Sequence, residues 1–206
     1  MSMSSQPRYR QPEPEPSQDG IIHFSGVSWD DYERLLVMRG DHSAPRIAYL
    51  EGEVEIMSPS QTHESIKSMI GRLVETYCLE RDIVFSTYGS WTLKDKARNR
   101  GAEPDECYVF GVEAAERPHL AIEVVWTHGR IDKLEIYRQL GVAEVWYWRQ
   151  GLIQPYCLRG ERYEPVSESQ ILPGLDLALL MRFIDEPTTS QAIRGYRDAL
   201  RGDEKG

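Results

Sequence analysis

The segment HLAIEVV at residues 119–125 constrains this chain most. It is apolar on both faces, the pattern of a central, covered strand rather than one with a wet side. One residue breaks the pattern. Glu123 puts a carboxylate mid-strand between Ile122 and Val124. Burial there is costly unless something compensates the charge.

The surrounding chain supplies a domain for such a strand. Its 206 residues are 40% apolar and 28% charged, which suits one domain with tails. Residues 1–20 are rich in Pro, Ser, Gln and Glu and are expected to be disordered. The domain is expected over 21–186, and a C-terminal helix and tail over 187–206. Ser28 can cap a short helix bearing Trp29, Tyr32, Leu35 and Leu36 on one face. Strands at 46–50 and 53–57 flank Glu51-Gly52, a tight-turn pair. In the second strand Val54 and Ile56 point one way, and Glu53 and Glu55 the other. A helix over 63–80 carries the stripe Ile66, Met69, Ile70, Leu73, Val74 and Tyr77.

Strand signals recur at 83–88 and near 90–93. A polar loop at 94–103 then leads to a strand at 107–110. After the central strand, a helix over 132–140 is closed by Gly141. Segments 144–148, 152–158 and 162–166 read as an antiparallel meander, and a last helix as 188–201. The expected class is α+β, a mixed sheet flanked by helices.

Charge and cysteine usage narrow the function classes. There are 33 acids against 24 lysines and arginines, a net charge of −9. That excludes a generic coater of nucleic acid and leaves room for a locally basic site. Cys78, Cys107 and Cys157 form no CxxC pair and read as buried thiols of a reducing compartment. No segment has the apolar run of about 20 residues that spans a bilayer, and the N-terminus lacks a signal-peptide core. A cytoplasmic location is the expectation.

A second acid stands out beside Glu123. Asp105 follows Pro104 at the mouth of another apolar strand. Two carboxylates on adjacent strands suit a shared divalent cation, and Mg²⁺ prefers oxygen ligands. Lys133 lies ten residues after Glu123, at the start of a helix that packs back over the strand. An ammonium there could position an attacking water or stabilise phosphoryl charge. Taken singly, each residue has a plainer reading: acids at strand ends bonded to water or arginine, and a solvated helix lysine.

In order, Pro104-Asp105, Glu123-Val124-Val125, Lys133-Leu134-Glu135-Ile136-Tyr137 and Gly141-Val142-Ala143-Glu144-Val145-Trp146 resemble the Uma-type family of restriction-endonuclease-like proteins. That family belongs to the PD-(D/E)xK nuclease superfamily. The opening YLEGEVEIMSP with His63-Glu64, and the closing PGLDL at 173–177, resemble the same family. The likeness runs from Trp29 to Phe183. It implies a restriction-endonuclease-like mixed-sheet core and Mg²⁺-dependent hydrolysis of DNA phosphodiesters, with Mn²⁺ a substitute. It further implies that Asp105 and Glu123 hold the metal, with the Val124 carbonyl completing the shell. Lys133 matches the family's helix lysine, and Glu64 an acid that can extend the shell. Two departures stand out. Val125 occupies the position of the superfamily's usual lysine, and Trp126-Thr127-His128 replaces an expected Ser/Pro-rich stretch.

Lys94, Lys96, Arg98 and Arg100 alternate before Pro104, and with Arg130 and Arg138 they could contact phosphates at the mouth of the site. His63 reads as a structural helix start. Trp146, Tyr147 and Trp148 read as core or dimer contact. A homodimer would suit two-strand cleavage, with this aromatic strand at its edge. Glu123→Ala is expected to abolish cleavage and to stabilise the metal-free protein by removing a buried acid. Two rival classes remain: a non-catalytic binding module on the same fold, and a carboxylate-pair glycosidase.

Overall fold

The computed structural model describes residues 18–89, 91–126 and 129–202. Most of the expected disordered tail, residues 1–17, lies outside them. Order begins before the boundary read from composition, because Asp19 is buried and Gly20 opens a strand.

Two sheets form the frame. The first takes β1 (Gly20–Phe24), β2 (Arg46–Leu50), β3 (Glu53–Ser58), β5 (Leu93–Asp95) and β6 (Arg100–Ala102), in the order β1-β3-β2-β6-β5, all antiparallel. The second takes β4 (Phe85–Thr87), β7 (Glu106–Phe110), β8 (Leu120–Val124), β9 (Glu144–Arg149), β10 (Leu152–Arg159) and β11 (Arg162–Pro165), in the order β11-β10-β9-β8-β7-β4. Within it only β8 and β9 run parallel. A parallel pair needs a crossover, and α3 (Lys133–Leu140) supplies it.

The helices complete the layers. On the outer face of the first sheet lies α1 (Trp29–Arg39), with Trp29 and Tyr32 packed on Ile47, Tyr49 and Val54. Between the sheets sits α3, where Ile136 and Tyr137 meet Ala48, Leu93 and Ala102 on one side and Ala121 and Val145 on the other. Across the far face of the second sheet run α2 (Gln61–Glu80) and α5 (Thr189–Gly202), with the short α4 (Leu177–Met181). The expected caps form: Ser28 accepts from the Asp31 N–H, and Gly141 closes α3 in the left-handed region. No helix among the described residues is long and apolar enough to cross a membrane.

Two readings need correction. The polar loop at 94–103 is instead the β5–β6 hairpin, which pairs with β2. Its three-residue strands are too short to show alternation. In β3 the expected alternation holds: Val54 and Ile56 point to α1, which sends Glu55 inward, between the sheets, where it is buried. The second correction concerns the aromatic strand, which is not an edge. It lies between β8 and β10, and Trp146, Tyr147 and Trp148 are buried core.

Candidate active site

The site forms where β8 gives way to the crossover. Glu106 pairs with Ile122, so Asp105, one step earlier, comes level with Glu123 on the adjacent strand. Both acids are almost fully buried, at 1% and 2% exposure. Their compensation differs.

Glu123 is held from α3. Lys133 Nζ donates to its Oε2 at 2.7 Å, and the Tyr137 hydroxyl donates to its Oε1. These donors lie four residues apart, one helical turn, and so share the face turned to β8. Asp132 caps the helix, accepting from the Leu134 and Glu135 N–H groups, which fixes where Lys133 starts. Burial raises the Glu123 pKa. Lys133 opposes that shift, and the charge of Asp105 adds to it. Burial disfavours a charged Lys133, but Glu123 and Asp105 outweigh it and lift its pKa.

Asp105 is held from elsewhere. Its Oδ2 accepts the Val124 N–H at 2.7 Å and stands 3.0 Å from His63 Nε2. Its Oδ1 stands 2.9 Å from Arg46 Nη1. His63 also contacts Asp19 at 3.0 Å, so one buried imidazole bridges two carboxylates. Burial works against its charge, yet hydrogen bonds to Asp105 and Asp19 lift its pKa to about 9. Burial alone would raise the Asp105 pKa, but Arg46 and His63 hold it well below the usual carboxylate range.

Glu64 joins at one remove. Its Oε1 accepts from Arg46 Nη2 at 2.8 Å and its Oε2 pairs with Lys67 at 2.8 Å. Arg46 therefore spans Glu64 and Asp105. Val124 uses its N–H to hold Asp105, and its side chain packs toward α2.

A cleft of about 70 Å³ opens on this arrangement, lined by Glu55, Glu123, Gly129, Lys133 and Arg149 among others. Glu55, like Arg46, is a residue that sequence reading missed. Its Oε2 accepts the Arg130 N–H at 2.7 Å, which docks the crossover loop on the first sheet. Gly129 lets the loop come that close, because a Cβ there would strike the Glu55 carboxylate.

The residues match a divalent ion in kind. Two hard-oxygen carboxylates level on neighbouring strands are what magnesium accepts. Their oxygens are already engaged by Lys133, Tyr137, Arg46 and His63, so an ion would share them. Among the described residues, no three His, Cys, Asp or Glu side chains stand ready as a metal cage.

A protein-family model described as "Putative restriction endonuclease", that of Uma2, matches residues 29–184. The chain belongs to the Uma2 family. The α+β frame above is that of a restriction-endonuclease-like fold, and the family supports a nuclease-like function in general. No curated protein matches the chain.

In this Uma2 protein five of the basic residues expected to grip phosphate, Lys94, Lys96, Arg98, Arg100 and Arg138, do not line the cleft. Lys94 pairs with Glu33 at 2.9 Å and Lys96 with Asp30 at 3.3 Å, both on α1. Arg98 pairs with Asp95 and donates to the Gln139 carbonyl. Arg100 is buried between Glu51 and Glu135. The β2–β6 register puts Arg100 level with Leu50, at the opposite end of β2 from Arg46. Arg138 is taken by Glu135. Arg130 lies on the crossover loop, its side chain exposed and without an acid partner among the described residues. Thr127 and His128, part of the departure from the family pattern, lie outside the described residues.

Proposed function

We propose that this Uma2 protein is a metal-dependent endonuclease that hydrolyses DNA phosphodiester bonds. The observation that carries the reading is the level pair Asp105 and Glu123, with Lys133 donating to Glu123 at 2.7 Å. Asp105 and Glu123 would hold Mg²⁺ or Mn²⁺, with the Val124 carbonyl as a further oxygen. Such an ion, when bound, supplies Lewis-acid polarisation and a more acidic water.

The chain's own residues do the rest. Arg46 and His63 keep Asp105 ionised, so it remains an anionic ligand in a buried place. Tyr137 fixes the Glu123 carboxylate from behind. Lys133 holds a proton at Nζ beside Glu123, within reach of the cleft. There it can orient a water or offset negative charge developing on a phosphoryl oxygen. Glu64 steadies Arg46, and Glu55 holds the loop that leads to Lys133.

The test is plasmid nicking with Mg²⁺ or Mn²⁺, paired with calorimetric metal titration. Wild type should bind metal and nick. Asp105→Asn and Glu123→Gln should lose both, and Lys133→Met should keep metal binding while losing nicking. Nicking by either carboxylate variant at the wild-type rate would sink the reading.

One observation favours a second reading, a non-catalytic nucleic-acid-binding module. The chain's own cations already neutralise both acids. On that reading folded wild type binds DNA but neither metal nor nicks.

A further inference from the structure

The basic hairpin is committed to acids at the far end of β2, and Lys133 is committed to Glu123. A site that handles phosphodiesters still needs a group to hold the substrate's negative charge. We infer that Arg149 is that group, gripping a substrate phosphate at the mouth of the Glu123–Lys133 cleft. The inference rests on the nuclease reading above.

Position comes first. Arg149 ends β9, and the parallel register sets Tyr147 opposite Glu123. Arg149 is two residues further on, so it shares the face of Tyr147 and Glu123 and lies one step nearer the open end. It lines the same cleft as Glu55, Glu123 and Lys133.

Its charge is available. Arg149 is exposed, and among the described residues no carboxylate pairs with it. Its guanidinium lies 5.1 Å from the centre of the Tyr147 ring. That contact orients the group without neutralising it. Tyr147 is itself buried, so the platform is rigid. A planar, pre-oriented guanidinium matches the bidentate geometry of a phosphate.

The experiment is equilibrium binding of a fluorescently labelled DNA duplex to the full chain, with chelator and separately with calcium, between about 50 and 200 mM salt. Wild type, Arg149→Met and Arg149→Lys are compared, with Arg34→Met as control. Arg34 sits on α1, paired with Asp31. The methionine keeps the stem over Tyr147 and removes the charge. Arg149→Met should bind several-fold more weakly and reduce the slope of log K against log salt by about one. Arg149→Lys should retain the wild-type slope, and Arg34→Met should match wild type. An unchanged slope in Arg149→Met, with salt-dependent binding by wild type, overturns the assignment and leaves the nuclease reading standing. Wild type that binds no DNA under either condition overturns both.

Discussion

The two ends of strand β2 hold similar residues in opposite circumstances. At one end Arg46 is buried against Asp105 and reaches Glu64, while His63 closes on the same aspartate. At the other end the β5–β6 hairpin carries Lys94, Lys96 and Arg98, which meet Glu33, Asp30 and Asp95 in the open. Pairing is nearly complete at both ends, and its consequences differ. Exposed ion pairs contribute little, because water and salt screen them and long side chains must be ordered to make them. Buried pairs are interdependent, since removing one partner strands the other charge in a low dielectric. On Lys94, Lys96 and Arg98 charge is solvation, whereas at the Asp105 end it is architecture.

That contrast can be broken most sharply at Asp105. Asp105→Ala should destabilise the fold by about 3–5 kcal/mol in urea unfolding, because Arg46 and His63 would be left buried without their anion. A loss under about 1 kcal/mol would mean the site relaxes and admits water. The same logic reverses the sequence-based expectation for Glu123→Ala. Glu123 compensates Lys133 and takes the Tyr137 hydroxyl, so its removal should destabilise the chain.

Glu55 gives an intermediate case. Glu55→Ala leaves the Arg130 N–H without its acceptor and should cost about 1–2 kcal/mol, with a larger fractional loss of nicking as Lys133 shifts. Glu55→Gln keeps an oxygen for that N–H and should stay near wild type in both. If the glutamine variant is as inactive as the alanine variant, the carboxylate acts chemically and not as a tether.

Acid titration sharpens the hairpin end. Hydrogen bonds from Arg138, then Arg100, pull the Glu135 pKa from its ordinary 4.5 down to about 2. A depressed carboxylate stabilises the fold above its unfolded pKa, and that contribution fades as pH falls through the folded one. Glu135→Gln should therefore lower stability modestly at neutral pH and flatten its loss between about pH 4.5 and 2, so that variant and wild type converge in acid. Overlapping acid profiles for variant and wild type would refute the pairing. The smallest effect belongs to Lys96→Ala, whose urea midpoint should match wild type. A clear drop would show that the hairpin charges matter to the fold after all.

Much of the frame was readable along the chain because its signals are local. Ser28 and Gly141 mark helix ends by cap chemistry that needs no distant partner. The β9–β11 meander announces itself by turn residues between alternating runs. The β5–β6 hairpin escaped, because three residues rich in charge give no period to read. Asp105, Glu123 and Lys133 were legible for one reason each: an acid after Pro104, a break in an apolar strand, and a lysine at a helix start. Val124 and Glu64 entered through family resemblance alone.

What the sequence determined by itself was the order of most elements, the covered central strand and the acid placed within it. These follow from hydrophobic periodicity and local backbone preference, which act over a few residues. Only the tertiary structure decided the company those acids keep. Asp19, Arg46, His63 and Glu55 come from separate elements and meet at the end of β8 because the two sheets close around α3. The same closure assigned Lys94 and Lys96 to acids of α1 and left Arg149 unpaired at the cleft. The reason is range. Packing brings charges together across distances in the chain that periodicity does not reach, and burial then decides which of those charges count.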